Sequence, residues 1–482
     1  MFLDILIALN IILMIIVVFT EKKNSSEALA WLLVLTFLPV VGFILFIFFG
    51  STLSLKMERL SQKRNIINNT YSQYISTQLA KLSTNEEIIT SPDIEKYKDI
   101  IYMLANKGRG FYTDDNKIEL LLNAQKKYPK LFADISSAKH SIHMEYFIIK
   151  TKDDSGKMLL SLLAKKAKQG VEVRVIYDRL GDLKISNDDF KELTDAGGKV
   201  YGFLPNPFLS FLRMNYRNHR KIVVIDGKIG YTGGINIGDD YLGLDPKRTP
   251  WRDTHMRLTG SSVSALQIQF INDWLYLEGK SKTKSEFNIK QEFFPLIEKH
   301  GTVGAQIVAS GPDCDNQNIR DGYIKLINSA KHKIYIQTPY LIPDNVYMTS
   351  LKLAAASGVD VRVMVPGIPD KSYVYHVTYS YIEELLKSNI KVYTHKGFLH
   401  AKSIVVDDTL CSIGTTNVDI RSFQLNYEIN AFVYDKEFSR NCTDMFMIDI
   451  NDCKELTLRE FERRGFFKKA LEAVLRLFSP LM

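Results

Sequence analysis

His219-Arg220-Lys221-Ile222-Val223-Val224-Ile225-Asp226 and, in the second half of the chain, His400-Ala401-Lys402-Ser403-Ile404-Val405-Val406-Asp407 decide how this 482-residue protein is read. Six residues past each Asp stands a Gly-rich stretch ending in Asn: Gly233-Gly234-Ile235-Asn236 and Gly414-Thr415-Thr416-Asn417. In extended backbone alternate side chains share a face, so His219 points with Lys221 and His400 with Lys402, while the branched run beyond them enters a sheet. Each strand end then offers an imidazole and an ammonium together. The glycines let backbone approach a ligand closely, and the amides of Asn236 and Asn417 are suited to donate to phosphate oxygens.

Working outward, the chain repeats itself around these two segments. Ser137-Ala138-Lys139-His140-Ser141-Ile142 is matched by Ser329-Ala330-Lys331-His332-Lys333-Ile334, and Gly170-Val171-Glu172-Val173-Arg174-Val175 by Gly358-Val359-Asp360-Val361-Arg362-Val363. Lys199-Val200-Tyr201 and Lys391-Val392-Tyr393 continue the parallel. Apolar runs that follow amphipathic stretches read as strand, helix, strand, which implies right-handed crossovers and parallel pairing. The expected fold is α/β: a duplicated domain, residues 111–290 and 291–482, forming two mostly parallel sheets flanked by helices that face each other across one site.

With both copies intact, the pattern H-x-K-x4-D-x6-G-[GST]-x-N resembles the signature of the phospholipase D superfamily, and the resemblance runs from about residue 110 to the C-terminus. A lone H-x-K is weak; two complete copies in matching positions of a repeat are specific. The resemblance implies a catalytic set of His219, Lys221, Asp226, His400, Lys402 and Asp407. A phosphodiester repels nucleophiles, and its leaving alkoxide needs a proton. One histidine, assigned by resemblance as His219, attacks phosphorus to give a phosphohistidine, and His400 serves as acid and then base. The near symmetry of the halves leaves that order open in the sequence. Lys221, Lys402, Asn236 and Asn417 are expected to hold the nonbridging oxygens, and two lysines supply the positive field without a metal or other cofactor. Asp226 and Asp407 end the motif strands, where loop-holding hydrogen bonds are expected rather than substrate contact.

Each histidine also needs a carboxylate to fix its tautomer. Glu428, in Asn426-Tyr427-Glu428-Ile429-Asn430, resembles the acidic position that the superfamily places after its motif, and Asp253, in Trp251-Arg252-Asp253-Thr254-His255, holds the comparable place in the first half. Among superfamily members, Asn236-Ile237-Gly238-Asp239-Asp240-Tyr241, the Trp251–His255 segment, Gly397-Phe398-Leu399-His400 and the apolar N-terminus are similar to bacterial cardiolipin synthases. That resemblance implies phosphatidyl transfer between two phosphatidylglycerol molecules, giving cardiolipin and glycerol. Gly234 departs from the Ser of many superfamily members, so a hydroxyl contact to phosphate is expected only from Thr415.

Composition agrees with a membrane-surface enzyme. Apolar runs at Phe2–Phe19 and Ala28–Phe49 are each long enough to span a bilayer, and no basic start or small-residue cleavage site marks a signal peptide. A two-helix transmembrane hairpin over residues 1–50 is expected, followed by a polar juxtamembrane connector over 51–110. Lys56, Arg59, Lys63 and Arg64 outnumber Lys22 and Lys23, which places the catalytic domains in the cytoplasm of a multi-pass cell-membrane protein. Lys and Arg exceed Asp and Glu by 62 to 54, enough to favour anionic lipid but too few for a nuclease groove, so no nucleic acid partner is expected. Cys314, Cys411, Cys442 and Cys453 show neither zinc nor disulfide spacing. Phe467, Leu471, Val474, Leu475 and Phe478 recur at helical spacing beside Arg463, Arg464, Lys468, Lys469 and Arg476, a pattern that suits either an anionic leaflet or a helix packed on the domain. His140, His143, His300, His332, His376 and His395 form no ligand set. Three functions fit: phosphatidyl transfer, by a cardiolipin synthase or another phosphatidyltransferase such as a phosphatidylserine synthase; hydrolysis by a membrane-tethered phospholipase D or nuclease; and a noncatalytic lipid-binding scaffold, which two intact motifs argue against.

Overall fold

The computed structural model describes residues 2–20, 25–49, 68–84, 89, 91–203, 215–279, 289–296, 299–314, 316–479 and 482. The chain divides into two compact units: Met1–Arg64 with Leu204–Tyr216 and Pro312–Asp315, and Asn65–Phe203 with Arg217–Gly311 and Asn316–Met482.

In the smaller unit, helices span Phe2–Thr20, Ser25–Phe37 and Pro39–Phe49. The second apolar run is divided at Leu38 because Pro39 lacks an N–H and favours the first helical position. Val17, Leu35 and Phe46 form a small core, and Asn10 Nδ2 donates to Pro39 O at 2.7 Å. Among the described residues no helix is both long and apolar enough to cross a membrane, so the expected transmembrane hairpin rests on the sequence alone. Lys22, Lys23, Lys56, Arg59, Lys63 and Arg64, on which the cytoplasmic orientation depends, lie outside the described residues.

The larger unit holds both halves of the repeat. The first contributes β1 (Tyr112–Leu122), β2 (Ser141–Tyr146), β3 (Glu172–Asp178), β4 (Lys199–Phe203), β5 (Ile222–Ile225), β6 (Ile229–Gly233), β7 (Trp251–Arg252) and β8 (Thr254–Thr259). The second contributes β9 (Val303–Ser310), β10 (Lys333–Gln337), β11 (Leu341–Ile342), β12 (Asp360–Pro366), β13 (Lys391–His395), β14 (Phe398–Leu399), β15 (Ser403–Val406), β16 (Leu410–Gly414), β17 (Val418–Asp419), β18 (Glu428–Tyr434) and β19 (Cys453–Leu456). In place of the two mostly parallel sheets expected, there is one mixed sheet of 15 strands, ordered β19-β13-β12-β10-β15-β16-β18-β9-β1-β8-β6-β5-β2-β3-β4. Strand β1 is the seam, antiparallel to β8 along one edge and to β9 along the other, with a register shift between Thr113 and Asn116.

Parallel pairing within this sheet is confined to β2-β3-β4 and β10-β12-β13, where helices such as Asp154–Lys168 and Asn345–Ala356 make the crossovers. The motif strands reverse instead through tight turns. Asp226 and Gly227 have φ of 51° and 63°, and Asp407 and Asp408 have φ of 51° and 52°, the paired positive values of a two-residue hairpin turn. Strands β5 and β6 are therefore antiparallel, as are β15 and β16.

Core packing follows the repeat. Ile142, Met144, Val173 and Val175 are buried in the first half; Ile334, Ile336, Val361 and Val363 are buried in the second. The segment read as a connector does more than connect: helix Lys98–Gly108 buries Ile100, Ile101 and Leu104 in the second half's core. Cys314, Cys411, Cys442 and Cys453 are free thiols.

Candidate active site

The two H-x-K segments are held by backbone pairing across the seam. His219 N donates to Tyr427 O at 2.9 Å, and Tyr427 N donates to Arg217 O at 2.8 Å. In the other direction β14 pairs in parallel with β7, and His400 N donates to Arg252 O at 2.7 Å. Each histidine thus docks on the strand segment that leads into the other half's carboxylate.

The side chains complete this exchange. Nδ1 of His219 lies 3.0 and 2.9 Å from the two carboxylate oxygens of Glu428, and Nδ1 of His400 lies 2.6 Å from Asp253 Oδ2. Both carboxylates are fully buried. Burial alone raises a carboxyl pKa, yet the facing histidine and the motif lysines pull both Asp253 and Glu428 below the ordinary values. Burial, reinforced by the neighbouring lysines, lowers His219 and His400 to about 4. Neutral imidazoles with Nδ1–H turned to an ionised carboxylate leave each Nε2 lone pair free to act.

Lys221 and Lys402 close the site between them. Burial first, and then their mutual repulsion for Lys221, lowers Lys221 to about 7, while burial lowers Lys402 to about 8. Lys221 Nζ donates to His219 O at 2.8 Å, and Lys402 Nζ donates to His400 O. Two ammonium groups that repel each other in a buried site form a cradle for an anion, whose arrival favours both charges. Asn236 Nδ2 donates to Tyr241 Oη at 2.8 Å, and the Asn417 amide is hydrogen-bonded to Asp419.

The motif aspartates stand apart from this group, at the far ends of β5 and β15. Asp226 accepts from the backbone N–H groups of Lys139, His140 and Ser141 at 2.7 to 2.9 Å; Asp407 does the same for Lys331, His332 and Lys333 at 2.7 to 2.9 Å. These are the loop-holding hydrogen bonds expected of the two aspartates at the ends of the motif strands. The repeated Ser-Ala-Lys-His segments are the loops they hold.

The two carboxylates are supported differently. Thr415 Oγ1 donates to Glu428 Oε2 at 2.5 Å and accepts from Ile429 N at 2.9 Å. The phosphate contact expected of this hydroxyl is thus replaced by a hold on the carboxylate. Asn426 Nδ2 adds a second donor to Glu428, at 3.2 Å. At the matching place in the first half, a Cβ on Gly234 would stand 2.0 Å from Asp253 Oδ1, so glycine makes room for the carboxylate itself.

Several residues around the site carry no sequence signal of their own. Lys127 is fully buried and donates through Nζ to Ile235 O at 2.6 Å, while Tyr128 Oη donates to Asn236 O at 3.0 Å. Together they brace the Asn236 loop from behind, and His255 Nδ1 accepts from Ile235 N at 3.3 Å. Phe147 packs edge-on to His219 at 5.0 Å, and Trp251 lies 5.4 Å from His400. Only the Trp251–His255 segment was marked beforehand, by its likeness to a family.

Comparison with known proteins identifies the family. The cardiolipin synthase phospholipase D-like domain model matches residues 131–246 and 323–450, and a phospholipase D-nuclease N-terminal model matches residues 8–51. The chain is 44% identical over 98% of its length to the major cardiolipin synthase ClsA of Bacillus subtilis (strain 168), covering 97% of that protein. It is 41% identical over 99% of its length to a cardiolipin synthase of Listeria monocytogenes serotype 4a (strain HCC23), covering 98% of it. Among solved structures, the phosphatidylserine synthase of Haemophilus influenzae Rd KW20 shares the fold, with a TM-score of 0.62 at 16% identity, over 80% of this chain and all of that one.

Proposed function

Because the chain belongs to the cardiolipin synthase family of the phospholipase D superfamily, we propose that the paired histidines carry out phosphatidyl transfer between two phosphatidylglycerol molecules. The protein is a phosphatidyltransferase making cardiolipin; the residue roles are inferred from the geometry. The carrying observation is the reciprocal pairing, His219 with Glu428 and His400 with Asp253, around two buried lysines.

His219 Nε2 attacks the phosphorus of the first phosphatidylglycerol. The bond from phosphorus to the terminal glycerol oxygen breaks as His400, having taken up a proton in the field of the bound anion, protonates that oxygen, and glycerol leaves. His400 then takes the proton from a glycerol hydroxyl of the second phosphatidylglycerol. That oxygen attacks phosphorus, the P–N bond breaks, and cardiolipin forms. Lys221 and Lys402 neutralise the charge that accumulates on the nonbridging oxygens, with Asn236 and Asn417 as further donors. Glu428 and Asp253 hold the imidazole tautomers and stabilise each cationic form in turn. One phosphodiester replaces another, so no nucleotide is needed to drive the exchange.

Phosphatidylglycerol and its acceptor are membrane lipids, and the N-terminal unit is read as the anchor. Support comes from its three apolar helices, from outward-facing Ile11, Ile15, Val18, Leu33 and Phe37, and from the N-terminal family match. The orientation with the catalytic unit in the cytoplasm rests on the basic residues after the second apolar run.

The test is lipid mass spectrometry of the full chain reconstituted with phosphatidylglycerol alone in excess EDTA, beside His219→Ala. Cardiolipin and glycerol formed by the protein and absent from the variant support the reading. Phosphatidic acid in place of cardiolipin means hydrolysis, and full activity in the variant removes His219 from the mechanism.

A further inference from the structure

The helix Phe466–Arg476 is turned inside out relative to an ordinary surface helix. Glu472 and Arg476 face the protein, beside Leu475, which packs on the second half's core. Glu472 is buried against Arg464 at 2.7 and 2.8 Å, and Arg476 donates to Ser380 O at 3.1 Å from the helix Ser372–Lys387, with its guanidinium 4.0 Å above the ring of Tyr381. Its apolar side faces outward. Phe466, Phe467 and Leu477 are 78%, 88% and 78% exposed, and Leu471, Val474 and Phe478 continue the same face at 45%, 56% and 49%. Six large apolar side chains on one contiguous face exceed the scattered exposure normal for a soluble surface, while the polar side is already engaged in ion pairs.

We propose that this face docks into the interfacial layer of an anionic lipid bilayer and sets the height of the active site above it. The proposal rests on the reading that the substrate is an anionic membrane lipid. Charge complementarity selects the occupant: Arg463 and Lys468 flank the apolar face and are exposed, as cationic side chains at the rim of an interfacial helix are. A second copy of the chain meeting the same face would bring those cations against their own kind. The link to the site is structural. Met482 O accepts from Arg421 N at 2.9 Å, and Asp419, two residues before Arg421, acts electrostatically on Lys402. The helix Ser372–Lys387, on which the docking helix packs, is joined to the second half's core through Thr378 Oγ1, which accepts from Leu341 N at 3.2 Å.

The experiment places a nitroxide spin label on Phe467→Cys, and separately on Val474→Cys, in full-length C314S/C453S protein reconstituted in phosphatidylglycerol vesicles. A label on the exposed Asp154→Cys is the control. The labels at 467 and 474 are expected to collide with dissolved oxygen and to be shielded from a water-soluble nickel chelate, with the reverse at 154. Equal nickel accessibility at all three positions overturns the proposal. Dipolar broadening between labels on neighbouring molecules also overturns it, in favour of a second copy as the occupant. The readout is independent of turnover, so shielded labels on a protein that makes no cardiolipin would refute the proposed reaction and leave the docking helix standing.

Discussion

Gly234 and Asp253 share one space: the Cβ that any other residue would place at position 234 falls 2.0 Å from Asp253 Oδ1, the carboxylate that holds His400. The first half therefore pairs a glycine with a short acid, whereas the second pairs Thr415 with a longer one, Glu428, that the threonine hydroxyl clamps. Gly234→Ala should displace Asp253 and lower kcat by about 100-fold, in the range for lost support of a catalytic histidine. Radiolabelled conversion of phosphatidylglycerol measures it. An unchanged rate would show that Asp253 relocates without consequence.

Glu428→Gln keeps the shape of the side chain but removes the charge that holds His219 Nδ1–H. A tautomer error at a comparable dyad costs roughly 10,000-fold, and a loss of that order is expected in kcat. Thr415→Val leaves the carboxylate in place and removes one of its donors, so a smaller loss, about tenfold, is expected. Equal losses in the two variants would contradict the order of support described here.

The proposed lysine cradle predicts that anion binding depends on pH. Because burial lowers Lys221 to about 7 and Lys402 to about 8 from the usual lysine value, the unfolded chain binds more protons than the folded one above pH 7. Their contribution to stability in the empty protein therefore rises with pH from about 7 toward about 10. Lys221→Met should flatten that rise in thermal unfolding. Inorganic phosphate should raise Tm at pH 6 more than at pH 9, although it carries more charge at the higher pH, because by then the ammonium groups have lost their protons. Stronger protection at pH 9 would refute the lysine cradle.

Lys127 braces the site from behind, through its hydrogen bond to the backbone of the Asn236 loop and through the electrostatic field it shares with Asp253 and Lys221. Lys127→Met removes its donor to Ile235 O while keeping the volume, so the fold should persist. A fall in kcat of about 10- to 100-fold with little change in KM is expected. Tm measured on the same preparation separates this positioning effect from unfolding, and a proportionate loss of both Tm and activity would indicate a purely structural lysine.

The legible part of this protein is the part carried by local pattern. Alternation put His219 beside Lys221 and His400 beside Lys402, and the repeat placed two such ends in one molecule. The strands after the motifs depart from the expected mostly parallel sheets because the rule for helix-separated strands does not reach strands joined by tight turns. Asp226-Gly227 between two apolar runs is itself a hairpin signal, and it marks the reversal that the structure shows. What pairs with what across the seam was not legible. Glu428 and Asp253 were marked by likeness to a family, but their exchange between halves depends on the parallel docking of β14 on β7 and of Asn218 on Tyr427. Lys127 and the packing of the Lys98–Gly108 helix were not legible for a common reason: one buried lysine, and one short amphipathic helix within a polar stretch, look from composition alone like ordinary surface.

The exchange of carboxylates also governs when the enzyme comes alive. His219 emerges from the ribosome 209 residues ahead of Glu428, and until that distant residue arrives nothing holds its imidazole in register. A chain that ends before β18 lacks the carboxylate that orients His219, so the site is complete only when the last quarter of the polypeptide folds back over the first half.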